Sequence, residues 1–180
     1  MLTITIPKLR LYNETTEEFM YLPEVQLKLE HSLLSVRRWE SKWHKSYLST
    51  SSTGMTLEEN MDYVRCMSLD SNIDPKLLRR LTRKNYDDIL AYINEPMTAT
   101  TFLQVKQHGP EKKITAELIY HMMLQHGIPF ECEKWHLNQL LTLIRVCNEK
   151  GSTKKQSEAE TAAMYRALSE ARRKKTGSHG

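Results

Sequence analysis

The sequence predicts an α+β fold, with a small N-terminal antiparallel sheet followed by a bundle of about five to seven helices. Two observations predict it. Residues 2–6 (LTITI) and 25–30 (VQLKLE) alternate apolar and polar side chains, the two-residue period of half-buried strands. From Ser32 the apolar side chains recur at three- and four-residue steps instead, and Thr56, Asp74 and Thr115 stand where later helices should begin.

Taken in order, residues 2–6 form the first strand, and FMYL at 19–22 is its expected antiparallel partner, ended by Pro23. In the next strand Val25, Leu27 and Leu29 share one face. Residues 32–48 (SLLSVRRWESKWHKSYL) read as one helix with a stripe of Leu33, Val36, Trp39 or Glu40, and then Trp43. The polar run STSSTG at 49–54 reads as a loop. Thr56 with Glu59 is a capping box that opens a helix whose stripe is Leu57, Met61, Val64 and Met67. Asp74 and Pro75 start another helix, and residues 85–94 form a short one that stops before Pro96. MTATTFLQV at 97–105 has strand-like composition, and KQHGPEKK at 106–113 is a turn. Thr115 caps the following helix, and Gly127 suits its left-handed C-terminal cap. A last core helix is expected over about 131–148, and an alanine-rich helix from Ser157 onward.

The chain has 180 residues, 39% of them apolar, and a mean hydropathy of −0.57, enough for one modest core. No apolar run approaches the roughly 20 residues of a membrane span. The N-terminus lacks the pattern of a secretory signal, and three cysteines, an odd number, suit reduced thiols. The reading is a soluble intracellular protein. Its formal charge of +4 is uneven: residues 150–180 carry eight Lys/Arg against three Asp/Glu, while residues 1–149 carry a net of −1. This divides the chain into a globular domain, 1–149, and a basic helical arm, 150–180. Such an arm can bind phosphate backbones or an acidic protein surface, or serve solubility; nucleic acid is not the favoured reading.

Cys132 and His136, four residues apart, raise the question of a metal. On a continuous helix Cys147 would lie roughly 22 Å from Cys132, and no Cys-x2-Cys pair supplies further ligands. The segment therefore reads as a central buried helix carried by Leu137, Leu140, Leu141, Ile144 and Val146, with Cys147 as a small buried hydrophobe and Trp135 packed at its boundary. No metal or cofactor is expected. Dinucleotide, P-loop, HExxH and GxSxG signatures are lacking as well, so an enzyme is not expected. Trp39 and Trp43, one turn apart beside Arg37 and Arg38, form an aromatic and basic patch. It reads as an amphipathic helix with tryptophans on the core and basic stems along the rim, or else as a partner surface. The candidate partner-binding residues are Arg37, Arg38, Trp39 and Trp43, with Arg172, Arg173, Lys174 and Lys175 in the arm.

Five segments carry a resemblance: WESKWHKSYLS (39–49), MDYVRCMSLDSNIDP (61–75), YINEPMTAT (92–100), IPFECEKWHLNQLLTLIRVCN (128–148) and ALSEARRKK (167–175). Together, and in this order, they resemble the tail assembly chaperones of long-tailed, siphovirus-type bacteriophages of Gram-positive and gut bacteria. The resemblance implies a non-enzymatic protein of the infected host cytoplasm that coats the helical tape-measure protein and helps tail-tube subunits polymerise around it. Self-association is also compatible with it. Two other classes stay open, a structural tail or connector protein of the virion and a nucleic-acid-binding accessory protein that uses the basic arm.

Overall fold

A computed structural model describes residues 1–15, 17–70, 73–102 and 113–149, with the backbone alone for Ser52 and Thr53. The chain divides into two compact units, Met1–Thr142 and Leu143–Gly180. The expected arm from residue 150, the turn at 106–113 (save Lys113) and residues 103–105 lie outside the described residues.

The fold is α+β, as expected, but the strands pair differently. Four strands, β1 (Leu2–Ile6), β2 (Leu9–Asn13), β3 (Glu18–Leu22) and β4 (Val25–Leu29), form two antiparallel pairs, β1–β4 and β2–β3. FMYL therefore partners residues 9–13 rather than 2–6. Both pairs keep one register: Leu2 faces Leu29, Ile6 faces Val25, Leu9 faces Leu22 and Asn13 faces Glu18. The four strands are thus two halves of one long hairpin. Pro7 and Pro23 stand at the break, one on each strand, where a residue without an N–H cannot extend the ladder. Arg80 closes the break by donating from Nη2 to the carbonyls of Pro7 (2.7 Å) and Pro23 (2.6 Å).

The first helix, α1 (Leu33–Trp43), begins at the Ser32 cap and ends at His44, whose φ of 53° is left-handed. It does not run on to Leu48. The chain restarts at the Ser46 cap as α2 (Tyr47–Thr53), so the expected polar loop is a helix. Its start is fixed from outside the run: Ser46 caps it, and the Glu40 carboxylate of α1 accepts from the Tyr47 N–H. The hydroxyls are absorbed within it, Thr50 Oγ1 donating to the Ser46 carbonyl and Ser51 Oγ to that of Leu48. The capping box of Thr56 and Glu59 opens α3 (Leu57–Met67) as predicted. Val64 and Met67 are buried there, whereas Leu57 is 72% exposed and does not join the stripe. Asp74 caps α4 (Pro75–Leu78). A second capping box, Thr82 with Asn85, starts α5 (Arg83–Asn94) two residues earlier than expected.

Residues 97–102 carry no strand. Thr115 caps α6 (Ala116–Gln125), and Gly127, at φ 63°, ends it. There the Gly127 N–H donates to the Leu124 carbonyl and the Ile128 N–H to that of Met123, the paired bonds of a Schellman motif. The helix expected over 131–148 is split. A 3-10 turn covers Phe130–Lys134, and residues 137–149 form α7. The interruption has a tertiary cause: His136 bridges to Ser32, and the Leu137 N–H donates to the His31 carbonyl at 2.7 Å.

The core of the first unit lies between the β1–β4 pair and the helices. Ile4, Ile6, Leu27 and Leu29 of the strands, Leu33, Val36 and Trp39 of α1, Met67 of α3, Ile119 and Met123 of α6, and Leu140 of α7 are all essentially solvent-free. Helix α1 packs on α3 and α6, and α5 packs on β1. Glu40 organises the joints. Its carboxylate accepts from the Tyr47 N–H and the Ala116 N–H, both at 2.8 Å, and so caps the first turns of α2 and α6. Burial raises its pKa, and the two backbone donors partly oppose that rise.

Candidate partner-binding surfaces

The tryptophan patch follows the core reading. Trp39 is fully buried and donates from its indole to the Glu59 carbonyl at 3.0 Å. Trp43 stacks on it, with ring centroids 6.2 Å apart, and is half-buried. The Trp43 indole donates to Asp62 Oδ2 at 2.9 Å, while Lys42 and Arg65 both reach Asp62 Oδ1. Burial pushes the Asp62 pKa up, but these three donors outweigh it and hold the carboxyl below its ordinary value. Arg37 and Arg38 remain exposed, and Arg38 donates to the Cys66 carbonyl at 3.5 Å. The patch thus joins α1 to α3, and Trp39 presents no surface. Arg172, Arg173, Lys174 and Lys175 lie outside the described residues.

A surface the sequence did not reveal lies beside it. A cavity of about 650 Å³ opens between the α2–α3 segment and α5. Leu48, Met55, Val64, Ile89, Leu90 and Ile93 line its walls, and His31, Tyr47 and Tyr63 form its floor. A second, more open groove of about 1000 Å³ runs between α3 and the α4–α5 segment, past Met61, Ile73, Leu78 and Leu81. Leu57 and Tyr86 border both, so the two adjoin along one face. Leu57 and Leu90 crown the walls at 72% and 53% exposure. Contiguous exposed apolar side chains of this kind mark interaction surfaces. The sequence signal was Leu90, an apolar residue lying off the buried stripe of Asn85, Ile89 and Tyr92.

The floor of the cavity is aromatic and uncharged. His31 Nδ1 pairs with the Tyr63 hydroxyl at 2.5 Å, Tyr63 stacks on Tyr47 at 3.9 Å, and the ring of His136 meets His31 edge-on at 5.1 Å. Burial, aided by the neighbouring His136, pulls the His31 pKa down to about 3. Burial likewise raises the Tyr47 and Tyr63 hydroxyls above their ordinary value. An imidazole with so low a pKa is a poor base near neutral pH. The arrangement suits a neutral binding floor better than proton transfer.

The cysteines take separate places. Cys66 is buried in α3 and its thiol is pushed up to about 11 by burial, which keeps it protonated. Cys132 is buried in the 3-10 turn, and Cys147 is half-buried rather than buried. Because α7 begins only at residue 137, Cys132 and His136 do not share a helix face; His136 Nε2 meets the Tyr92 carbonyl at 3.0 Å. Trp135, expected to pack, is 42% exposed. Among the described residues no group of three or more His, Cys, Asp or Glu side chains is placed to hold a metal ion. Among the same residues no helix is long and apolar enough to cross a membrane. No protein family, curated protein or solved structure matches this chain.

Proposed function

We propose that this protein is a non-enzymatic bacteriophage tail assembly chaperone, and that it holds helical segments of the tape-measure protein in the paired grooves along α3 and α5. The observation that carries this reading is the pair of adjoining grooves, apolar along their walls with Lys42, Glu58, Asp62, Arg65 and Arg79 bordering the second, and rimmed by the exposed Leu57 and Leu90. An amphipathic helix binds by laying apolar side chains at i, i+3, i+4 and i+7 into such a groove. Met55 and Met61 line it, and the unbranched, flexible methionine side chain adapts to varied partners. The partner's identity comes from the sequence resemblance alone.

Co-expression with the tape-measure protein tests the reading. Leu57→Asp and Leu90→Asp each change an exposed side chain, so stability should stay within about 0.5 kcal/mol of wild type. Recovery of the tape-measure protein with the double variant should fall about tenfold or more, as for the loss of a hot spot. Undiminished recovery would rule this face out. Mass spectrometry of finished virions then separates a chaperone, which should be lacking there, from a structural tail or connector subunit.

A further inference from the structure

The two adjoining grooves differ in charge, and the difference singles out the cavity between the α2–α3 segment and α5. Lys42, Glu58, Asp62, Arg65 and Arg79 border the other groove. Among the described residues that line the cavity none is Asp, Glu, Lys or Arg, and its one imidazole, His31, is held neutral by burial. An ion entering it would shed water and meet no opposite charge, so a charged guest is disfavoured. An uncharged guest meets apolar walls and a floor where Tyr47 stacks on Tyr63. The volume of about 650 Å³ lies in the ordinary range of binding pockets.

The polar groups of the lining are selective as well. Asn60 of α3 donates through Nδ2 to the carbonyls of Met55 (3.2 Å) and Thr56 (2.9 Å). Asn138 of α7 donates through Nδ2 to those of Ile93 (3.0 Å) and Glu95 (2.8 Å). Two carbonyls facing each amide nitrogen use both of its N–H bonds and settle which way the amide points. What each amide keeps is Oδ1, an acceptor with no partner among the described residues and not sealed from solvent. Ser51 Oγ gives its proton to the Leu48 carbonyl, and Asn94 Nδ2 donates to that of Leu90. The Tyr63 hydroxyl and His31 Nδ1 are paired with each other. The lining thus presents acceptors in excess.

We infer that the cavity is a tryptophan pocket: it takes the indole of a partner helix, whose N–H donates to Oδ1 of Asn60 or Asn138. Tryptophan is the side chain that is at once uncharged, aromatic and donor-only. Phenylalanine brings no donor, and lysine and arginine bring a charge that no carboxylate of the lining meets. Tyrosine would add further lone pairs to a lining already rich in acceptors. The exposed Leu57 and Leu90 at the rim then cover the apolar side chains one turn away on the same helix. A tryptophan anchored in a desolvated pocket commonly carries much of a binding energy. This inference rests on the grooves being the seat of a partner helix, and it adds which residue of that helix is recognised.

Titration of the full-length chain with indole and with benzofuran, followed through the methyl NMR signals of Met55, Ile89 and Leu90, tests it. The two probes share a shape, but benzofuran has an oxygen where indole has its N–H. Indole should shift those signals with a dissociation constant about tenfold below that of benzofuran, as for one hydrogen bond gained. Indoleacetate, which is charged, should bind more weakly than indole. Either Asn60→Leu or Asn138→Leu should bring the indole and benzofuran constants together while benzofuran still binds. Should both variants fail to fold, the wild-type comparison decides alone. Equal binding of the two probes, cavity methyl signals that do not move, or a preference for indole kept in both folded variants would each overturn the inference. Failure of the tape-measure reading looks different. Tape-measure recovery undiminished by Leu57→Asp with Leu90→Asp, alongside a clear preference for indole, would leave the tryptophan pocket standing and assign it to a helix of another protein. Lost recovery without that preference would keep the helix and refute the tryptophan.

Discussion

His31 sits at the junction of β4 and α1, only 2% exposed, with the Tyr63 hydroxyl on its Nδ1 and a second imidazole, His136, beside it. A charged ring there would lose its hydration and face a second ring that burial also holds neutral. With a folded pKa of about 3 against an unfolded value near 6.5, the unfolded chain binds the extra proton first. The contribution is therefore complete above about pH 6.5 and is lost as pH falls toward 3, at about 1.4 kcal/mol per pH unit for this one group. His136, shifted in the same direction, adds to the loss, and Glu40, whose pKa is raised, opposes it. Melting temperature should thus drop between pH 7 and pH 5. His31→Gln should flatten that dependence while lowering stability at neutral pH. A wild-type melting temperature that does not move over this range would refute the assignment.

Helix α7 shows how element boundaries follow from neighbours. Its apolar positions were legible from LNQLLTLIRV, but its start was set by the bridge from His136 to Ser32, which no local propensity encodes. The shifted start also separates residues that the sequence treats alike. Leu140 is fully buried, whereas the adjacent Leu141 is half-buried. Leu140→Ala should cost about 2–5 kcal/mol. Leu141→Ala should cost roughly half as much, because less apolar area leaves water when it packs. Denaturant midpoints of the two variants decide the matter: equal losses would mean that α7 does not present the face described. Helix α2 makes the same point from the other side, since its Ser/Thr run reads as a loop, yet the Glu40 carboxylate of α1 caps its first turn at the Tyr47 N–H.

Across the whole molecule, charge and apolar surface are distributed differently. Residues 1–149 hold the grooves and the β2–β3 ribbon and carry a net of −1, while residues 150–180 carry +5. If the grooves supply most of the partner affinity, truncation after Glu149 should leave the melting temperature nearly unchanged and weaken tape-measure capture only at low salt, where screening is least. Loss of capture at all ionic strengths would move recognition to the arm. Aggregation of the truncated chain would make residues 150–180 part of the folded core.

By itself, the sequence determined what short-range chemistry controls. The α+β class, the strands 2–6 and 25–29, the capping box of Thr56 and Glu59, the Asp74–Pro75 start and the Gly127 stop all rest on periods and caps only a few residues long. The tertiary structure decided what depends on residues distant in the chain. It paired FMYL with LRLYN instead of LTITI, placed Trp39 inside rather than on a partner surface, and spent Glu40 on two helix ends 69 residues apart. It also formed the grooves, whose walls come from separate helices, and left both faces of the β2–β3 ribbon open. An apolar residue reads the same in sequence whether it is buried or exposed; only the packing of its neighbours determines which Leu becomes core and which becomes surface.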